Sequence, residues 1–94
     1  MLRITAAMML MFAGAAFAAD APFGAASCSG CHPATKSVAT SVPRLEGREA
    51  AQLAAAMVEF RNGQRPTTVM DRIAKGFTDD EIKAIAAWYA AQKE

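Results

Sequence analysis

The sequence predicts an all-α fold, a small domain of short helices joined by loops. No segment after residue 18 shows the alternation of polar and apolar residues that is typical of a half-buried strand. Two segments, residues 48–62 and 78–92, carry apolar side chains at helical spacing instead. Residues 19–94 suffice for one domain, and a core of that size rarely supplies more than ~3–5 kcal/mol without a crosslink or a cofactor.

The first 18 residues have the pattern of a secretory signal peptide. A basic residue, Arg3, precedes an apolar run from Ile4 to Phe17, and Ala16-Phe17-Ala18 fits the cleavage site of such signals. The run is shorter than the ~20 residues needed to span a bilayer. We therefore expect cleavage after Ala18, a mature domain of residues 19–94, a periplasmic location and no membrane association after cleavage.

Cys28, Cys31 and His32 form the pattern C-x-x-C-H, which is the attachment signature of a c-type haem. The two thiols add across the two vinyl groups of one haem, which gives two thioether bonds. The histidine that follows lies under the iron and binds it as the proximal ligand. We therefore predict one covalent haem c, attached at Cys28 and Cys31, with His32 as an iron ligand.

Three other uses of this pattern fit less well. A thioredoxin-like C-x-x-C belongs next to a βαβ unit, and no strand pattern flanks this one. A disulfide between Cys28 and Cys31 would leave His32 without a role. A structural zinc site needs four ligands, and the chain has two cysteines and one histidine, so a carboxylate would have to be the fourth.

Local signals also predict the helices and loops around this motif. A short helix is expected between Pro22 and Cys31, and Pro33 stops it. Residues 35–42 are rich in Ser and Thr and have no apolar period, so we expect a loop that passes beneath the haem. Pro43 closes this loop.

Three further helices are expected after residue 47. The helix of residues 48–62 ends at Gly63, which is suited to a left-handed C′ position. One or two helical turns are expected over residues 69–75. A capping box of Thr78 and Glu81 begins the last helix, which runs to about Gln92. The apolar face of the first of these helices is Leu53, Met57 and Phe60, and that of the last is Ile82, Ile85, Ala86 and Tyr89.

Met70 is the predicted second axial ligand of the iron. The chain has no second histidine, and methionine is the usual alternative, whose thioether raises the reduction potential. Beyond residue 18 the other methionine is Met57, which lies on a helical apolar stripe where methionine more often fills a core. Met70 precedes the last helix, where the chain can cross the haem face opposite His32. If neither bound, the open position would admit small ligands such as carbon monoxide.

Pro43 is a candidate for a contact with the proximal histidine. The Nδ1–H of an iron-binding histidine needs an acceptor that fixes the orientation of the ring. A backbone carbonyl from a loop about ten residues further along can supply one. An ordinary turn proline is an equally good interpretation of the sequence alone.

These features resemble those of class I cytochromes c over essentially the whole of residues 19–94. The shared features are C-x-x-C-H near the start, Pro43-x-Leu45-x-Gly47, a methionine before the last helix, and aromatic residues in that helix. The resemblance implies a class I cytochrome c fold wrapped around one haem. It also implies a Pro43 carbonyl bonded to His32 and Met70 as the sixth iron ligand. Trp88 or Tyr89 should then pack near Phe23 and Gly24.

A narrower resemblance, from Met57 to Ile82, is to the haem subunit of flavocytochrome c sulfide dehydrogenase. Pro33 departs from that pattern, since a glycine often follows the ligating histidine there. The resemblance implies an electron-transfer protein without catalytic residues, whose partner is a flavoprotein that oxidises sulfide. A free electron shuttle and a haem-based gas-binding protein are the alternatives, whereas a peroxidase would need a distal acid–base residue such as a second histidine.

The charge balance gives no sign of a nucleic-acid or anionic membrane partner. Ten basic residues face nine acidic ones, and one of the basic residues, Arg3, lies in the predicted signal peptide. The mature domain therefore carries no net charge, whereas nucleic-acid binding normally requires a basic excess.

Overall fold

A computed structural model describes residues 20–93, so the signal peptide predicted for residues 1–18 lies outside the described residues. Within residues 20–93 there are four helices: α1 (Ala25–Cys28), α2 (Ala50–Arg61), α3 (Met70–Ala74) and α4 (Asp79–Ala91). Residues 20–93 contain no strand, which confirms the predicted all-α class. Within the same residues, no helix combines the length and apolar character required to cross a membrane.

The last helix, α4, begins at the predicted capping box. The Thr78 hydroxyl accepts a 3.2 Å hydrogen bond from the Glu81 backbone N–H, and the Glu81 carboxylate accepts a 2.9 Å bond from the Thr78 N–H. Two N–H groups that lack partners within the helix are thereby satisfied. The buried face of α4 comprises the four predicted residues, Ile82, Ile85, Ala86 and Tyr89.

The long helix α2 packs against both α3 and α4. Glu49 is its N-cap in an extended conformation, so the helix begins two residues later than predicted. Gly63 follows its end with φ 73°, the left-handed conformation expected from the sequence. Arg61 links the end of α2 to the start of α4 through a 2.6 Å ion pair with Asp79. No residue of α2 is buried, and its predicted apolar face of Leu53, Met57 and Phe60 is half-buried.

The first helix, α1, is much shorter than the span between Pro22 and Cys31 that the sequence favours. Gly24 precedes it with φ 83°, a left-handed conformation that cannot continue a right-handed helix. After Cys28 the chain tightens, because the N–H groups of Gly30 and Cys31 bond to carbonyls three residues back. These bonds form a turn through the C-x-x-C-H segment.

The small core joins α1 to α4. Ala25, Ile85 and Tyr89 form its buried centre. Half-buried side chains packed against this centre are Cys28, Leu45, Leu53, Phe77 and Trp88. Tyr89 thus contacts α1 at Ala25, one residue beyond the predicted Gly24. Phe77 also packs there, with its ring 6.4 Å from that of Phe23.

Candidate functional site

The two cysteines lie at the end of α1 and in the turn that follows it. Cys28 is half-buried and its Sγ donates a weak 3.6 Å hydrogen bond to the Gly24 carbonyl, whereas Cys31 is exposed. Burial raises the pKa of the Cys28 thiol above its ordinary value. The two thiols are not joined in a disulfide. A hydrogen bond from the His32 N–H to the Cys28 carbonyl, 2.9 Å long, connects the turn to the histidine.

The structure brings His32 and Pro43 together. The Nδ1 atom of His32 lies 2.5 Å from the Pro43 carbonyl oxygen. Because a carbonyl can only accept, the proton lies on Nδ1 and the lone pair on Nε2. The ring is therefore held in the tautomer that binds a metal through Nε2.

Arg44, the residue after Pro43, makes a second connection across the same loop. Its Nε–H and Nη2–H donate to the Ala34 carbonyl over 3.1 and 2.8 Å. No motif in the sequence assigns a role to this residue. Its position beside Pro43 is the signal that could have identified it. Its two bonds to the Ala34 carbonyl depend on the path of the loop, which the sequence does not show.

Met70 is the first residue of α3 and is half-buried. Its neighbours Val69 and Ile73 are largely exposed, with 52% and 40% of their surface accessible. Met57 is half-buried within α2. The choice of Met70 as the iron ligand stays a prediction.

Tyr89 is a further residue of the site, for which the sequence predicted a place on an apolar stripe and packing near Phe23 and Gly24 but no hydrogen bond. Its hydroxyl donates a 2.6 Å hydrogen bond to the Ala25 carbonyl and lies 2.9 Å from the Ser29 hydroxyl. Cys28 lies between these two contacts in the chain. Burial raises the pKa of Tyr89 above its ordinary value. The phenol therefore joins both ends of the segment that carries the first cysteine.

The chemistry of these donors fits a c-type haem. Two thiols lie about one turn apart, an imidazole keeps the lone pair of Nε2, and a thioether lies at the start of a neighbouring helix. Cys28 and Cys31 would attach the haem and His32 would bind its iron. Across residues 20–93, no three His, Cys, Asp or Glu side chains are grouped to hold a separate metal ion.

Comparison with known proteins shows several relatives, although no protein-family model matches the chain. It is 38% identical over 63 residues to the cytochrome subunit of sulfide dehydrogenase from Chlorobaculum tepidum, covering 67% of this chain and 57% of that protein. It is 40% identical over 73 residues to a thiosulfate dehydrogenase electron acceptor from Stutzerimonas stutzeri, covering 71% and 34% respectively. Cytochrome c-554(548) from Halomonas halodenitrificans is 33% identical over 85 residues, which is 86% of this chain and 100% of that protein.

The chain spans about one third to just over half of the length of the first two relatives, but the match to cytochrome c-554(548) covers that whole protein. Cytochrome c4 from Pseudomonas aeruginosa is also 33% identical, over 98% of this chain and 48% of its own length. Three of these four relatives are named as cytochromes, and Cys28, Cys31 and His32 of this chain form the attachment pattern of a c-type haem. The chain therefore belongs to the class I cytochromes c, a family of electron-transfer proteins, and carries a covalently attached haem c.

Proposed function

We propose that this chain is a periplasmic electron carrier, the haem subunit that accepts electrons from a sulfide-oxidising flavoprotein. In this proposal residues 1–18 direct export and are removed after Ala18. Cys28 and Cys31 hold the haem, and His32 and Met70 are its axial ligands. When bound, the haem supplies a one-electron couple between ferric and ferrous iron.

The hydrogen bond between His32 and Pro43 is the observation that carries this proposal. It fixes the imidazole in one tautomer and one orientation, and it strengthens the ring as a donor through Nε2. With Met70 on the other side, both axial positions would be filled by side chains. The residues of this chain then hold, orient and insulate the cofactor, while bond-breaking chemistry belongs to the partner.

The partner is proposed from similarity and from surface chemistry. The C. tepidum relative is the cytochrome subunit of a sulfide dehydrogenase. The segment from Met57 to Ile82 forms the end of α2, all of α3 and the start of α4. Within it Val69, Arg72 and Ile73 are exposed. Exposed apolar area beside a cation suits a redox docking surface, because apolar contact aids complex formation and rim charge sets the on-rate.

The test is rapid mixing of the ferric holoprotein with sulfide, with and without the flavoprotein subunit of a sulfide dehydrogenase. We expect fast, saturable reduction of this chain only when the flavoprotein is present, and slow chemical reduction otherwise. Because sulfide oxidation to sulfur releases two electrons, two molecules of this chain should be reduced for each sulfide consumed. Fast turnover of sulfide by this chain alone, free of flavin, would contradict the proposal.

A second candidate is a free electron shuttle that serves another dehydrogenase of sulfur compounds. Two relatives are thiosulfate dehydrogenase electron acceptors, 40% and 34% identical to this chain. The same rapid-mixing experiment with a thiosulfate dehydrogenase distinguishes the two partners. Reduction by that enzyme, together with unchanged kinetics on adding the flavoprotein, would favour the shuttle.

A further inference from the structure

The loop that follows the proximal histidine is connected across its two limbs by side chains. His32 bonds to the Pro43 carbonyl, eleven residues further along the chain. Directly beside this contact, Arg44 reaches back to the Ala34 carbonyl with two N–H groups. The His32 side chain reaches forward along the chain to residue 43, and the Arg44 side chain reaches back to residue 34. Together these two connections join residues 32–34 to residues 43–44 at the base of the loop.

The rest of the loop offers little support for this geometry. Residues 33–43 contain no helix or strand. The Thr35–Ser37 and Val42–Thr40 hydrogen bonds each join residues two positions apart, so these two bonds shape local turns and do not join the limbs. Most of the loop is exposed, including 53% of the surface of Val38. Closing such a loop costs conformational entropy, and one neutral hydrogen bond offsets little of it.

We propose that Arg44 is a positioning residue for His32. Its planar fork grips one carbonyl through two charge-assisted bonds, which a flexible ammonium cannot reproduce. By fixing residue 34 against residue 44, it holds the Pro43 carbonyl in place to accept from Nδ1. This inference rests on His32 being the iron ligand of the proposed function, and it adds a residue that acts on the iron through the histidine.

The proposal predicts a sign for the reduction potential. A firm acceptor on Nδ1–H makes the imidazole more basic, which favours ferric iron. Loosening that acceptor therefore raises the potential. Removal of a nearby positive charge has the opposite effect, because it disfavours the more negative ferrous state. The direction of the shift in an Arg44 variant thus separates positioning from simple electrostatics.

The test compares Arg44→Ala, Arg44→Lys and Arg48→Ala as purified holoproteins. We expect Arg44→Ala to shift the redox equilibrium about threefold toward ferrous iron, roughly 28 mV at 59 mV per tenfold for one electron. Arg44→Lys keeps the charge but loses the fork, so its potential should shift the same way without the opposing effect of charge removal. Arg48 is exposed and close in sequence, and its replacement removes the same charge without touching the loop's two connections. It should not raise the potential.

A second measurement reads the histidine directly. In the ferrous protein, solvent exchange of the His32 Nδ1–H by NMR should be about tenfold faster in Arg44→Ala and unchanged in Arg48→Ala. If Arg44→Ala does not fold, Arg44→Lys alone carries both measurements. A reduction potential that falls or does not change in the Arg44 variants, together with unchanged exchange of the His32 Nδ1–H, would overturn the role of Arg44. If the iron of the unmodified protein is not bound by a histidine, that result would instead contradict the proposed function.

Discussion

The hydroxyl of Tyr89 donates a 2.6 Å hydrogen bond to the carbonyl oxygen of Ala25, 64 residues earlier in the chain. Both residues are fully buried, and the bond ties the last helix to the helix that carries Cys28. The Gly47 N–H bonds to the carbonyl of Tyr89 in turn. Tyr89 of α4 therefore connects α1, which carries Cys28, to Gly47, which lies after the loop of residues 33–43.

Tyr89→Phe should destabilise the holoprotein by about 1–2 kcal/mol, because it leaves the buried Ala25 carbonyl without its partner. The measurement is the free energy of unfolding from guanidinium titrations monitored by far-ultraviolet circular dichroism. Ser29→Ala is the matched control, since it removes only the exposed hydroxyl on the other side of the phenol. Equal effects of the two substitutions would contradict the assignment of the stabilising bond to Ala25.

The stability of the protein should also fall at alkaline pH because of Tyr89. Burial raises the pKa of this phenol above its ordinary value of about 10, so the folded chain keeps the proton to higher pH than the unfolded chain does. Its contribution is fully present below pH 10 and is lost as the pH rises toward the folded pKa. Tyr89 is the one tyrosine of the sequence. The free energy of unfolding of Tyr89→Phe should therefore fall less between pH 9 and 11 than that of the unmodified protein. An equal fall in both proteins would assign it to other groups.

Gly24→Ala should destabilise the fold more than Gly63→Ala. Both glycines have positive φ angles, 83° and 73°, so each alanine carries the same left-handed backbone strain. A Cβ at Gly24 would overlap the Phe77 ring, whereas one at Gly63 meets no atom within 4 Å. We expect an extra cost of at least about 1 kcal/mol at Gly24 from the free energies of unfolding. In a Phe77→Ala background the difference should vanish, and its persistence would show that Phe77 is not its cause.

Local patterns predicted α4 better than α1, and the physical reason is visible in these residues. The capping box of Thr78 and Glu81 and the stripe on α4 depend on near neighbours in the chain, so the sequence contains them. The short length of α1 follows from the left-handed Gly24 and its packing against Phe77, a contact between distant segments. The sequence cannot show such a contact without the path of the chain.

The same distinction applies to the candidate site. The C-x-x-C-H motif can be recognised from the sequence alone, because the groups that attach the haem and bind its iron lie within five adjacent residues. The contact between His32 and Pro43 was anticipated through the family resemblance, and the structure contains it. The hydrogen bonds of Arg44 and Tyr89 were not predicted, because each donates to a backbone carbonyl, and any residue type can present a carbonyl.

Met70→Ala should abolish the weak long-wavelength ferric band of methionine-bound iron and lower the reduction potential. Met57→Ala should keep the band and reduce stability, near the lower end of the ~2–5 kcal/mol range for truncation of a packed methionine, because Met57 is only half-buried. Absorption spectra and redox titrations of the two variants give the answer. The reverse pattern would make Met57 the ligand.

The central claim is that Cys28 and Cys31 hold the haem through thioether bonds. The most direct measurement is extraction of the purified protein with acidified acetone, followed by intact-mass analysis of the chain. The account predicts that the pigment stays with the polypeptide and that the chain's mass exceeds that of the mature sequence by one haem. Pigment that passes into the acetone, leaving a chain of unmodified mass, would contradict it.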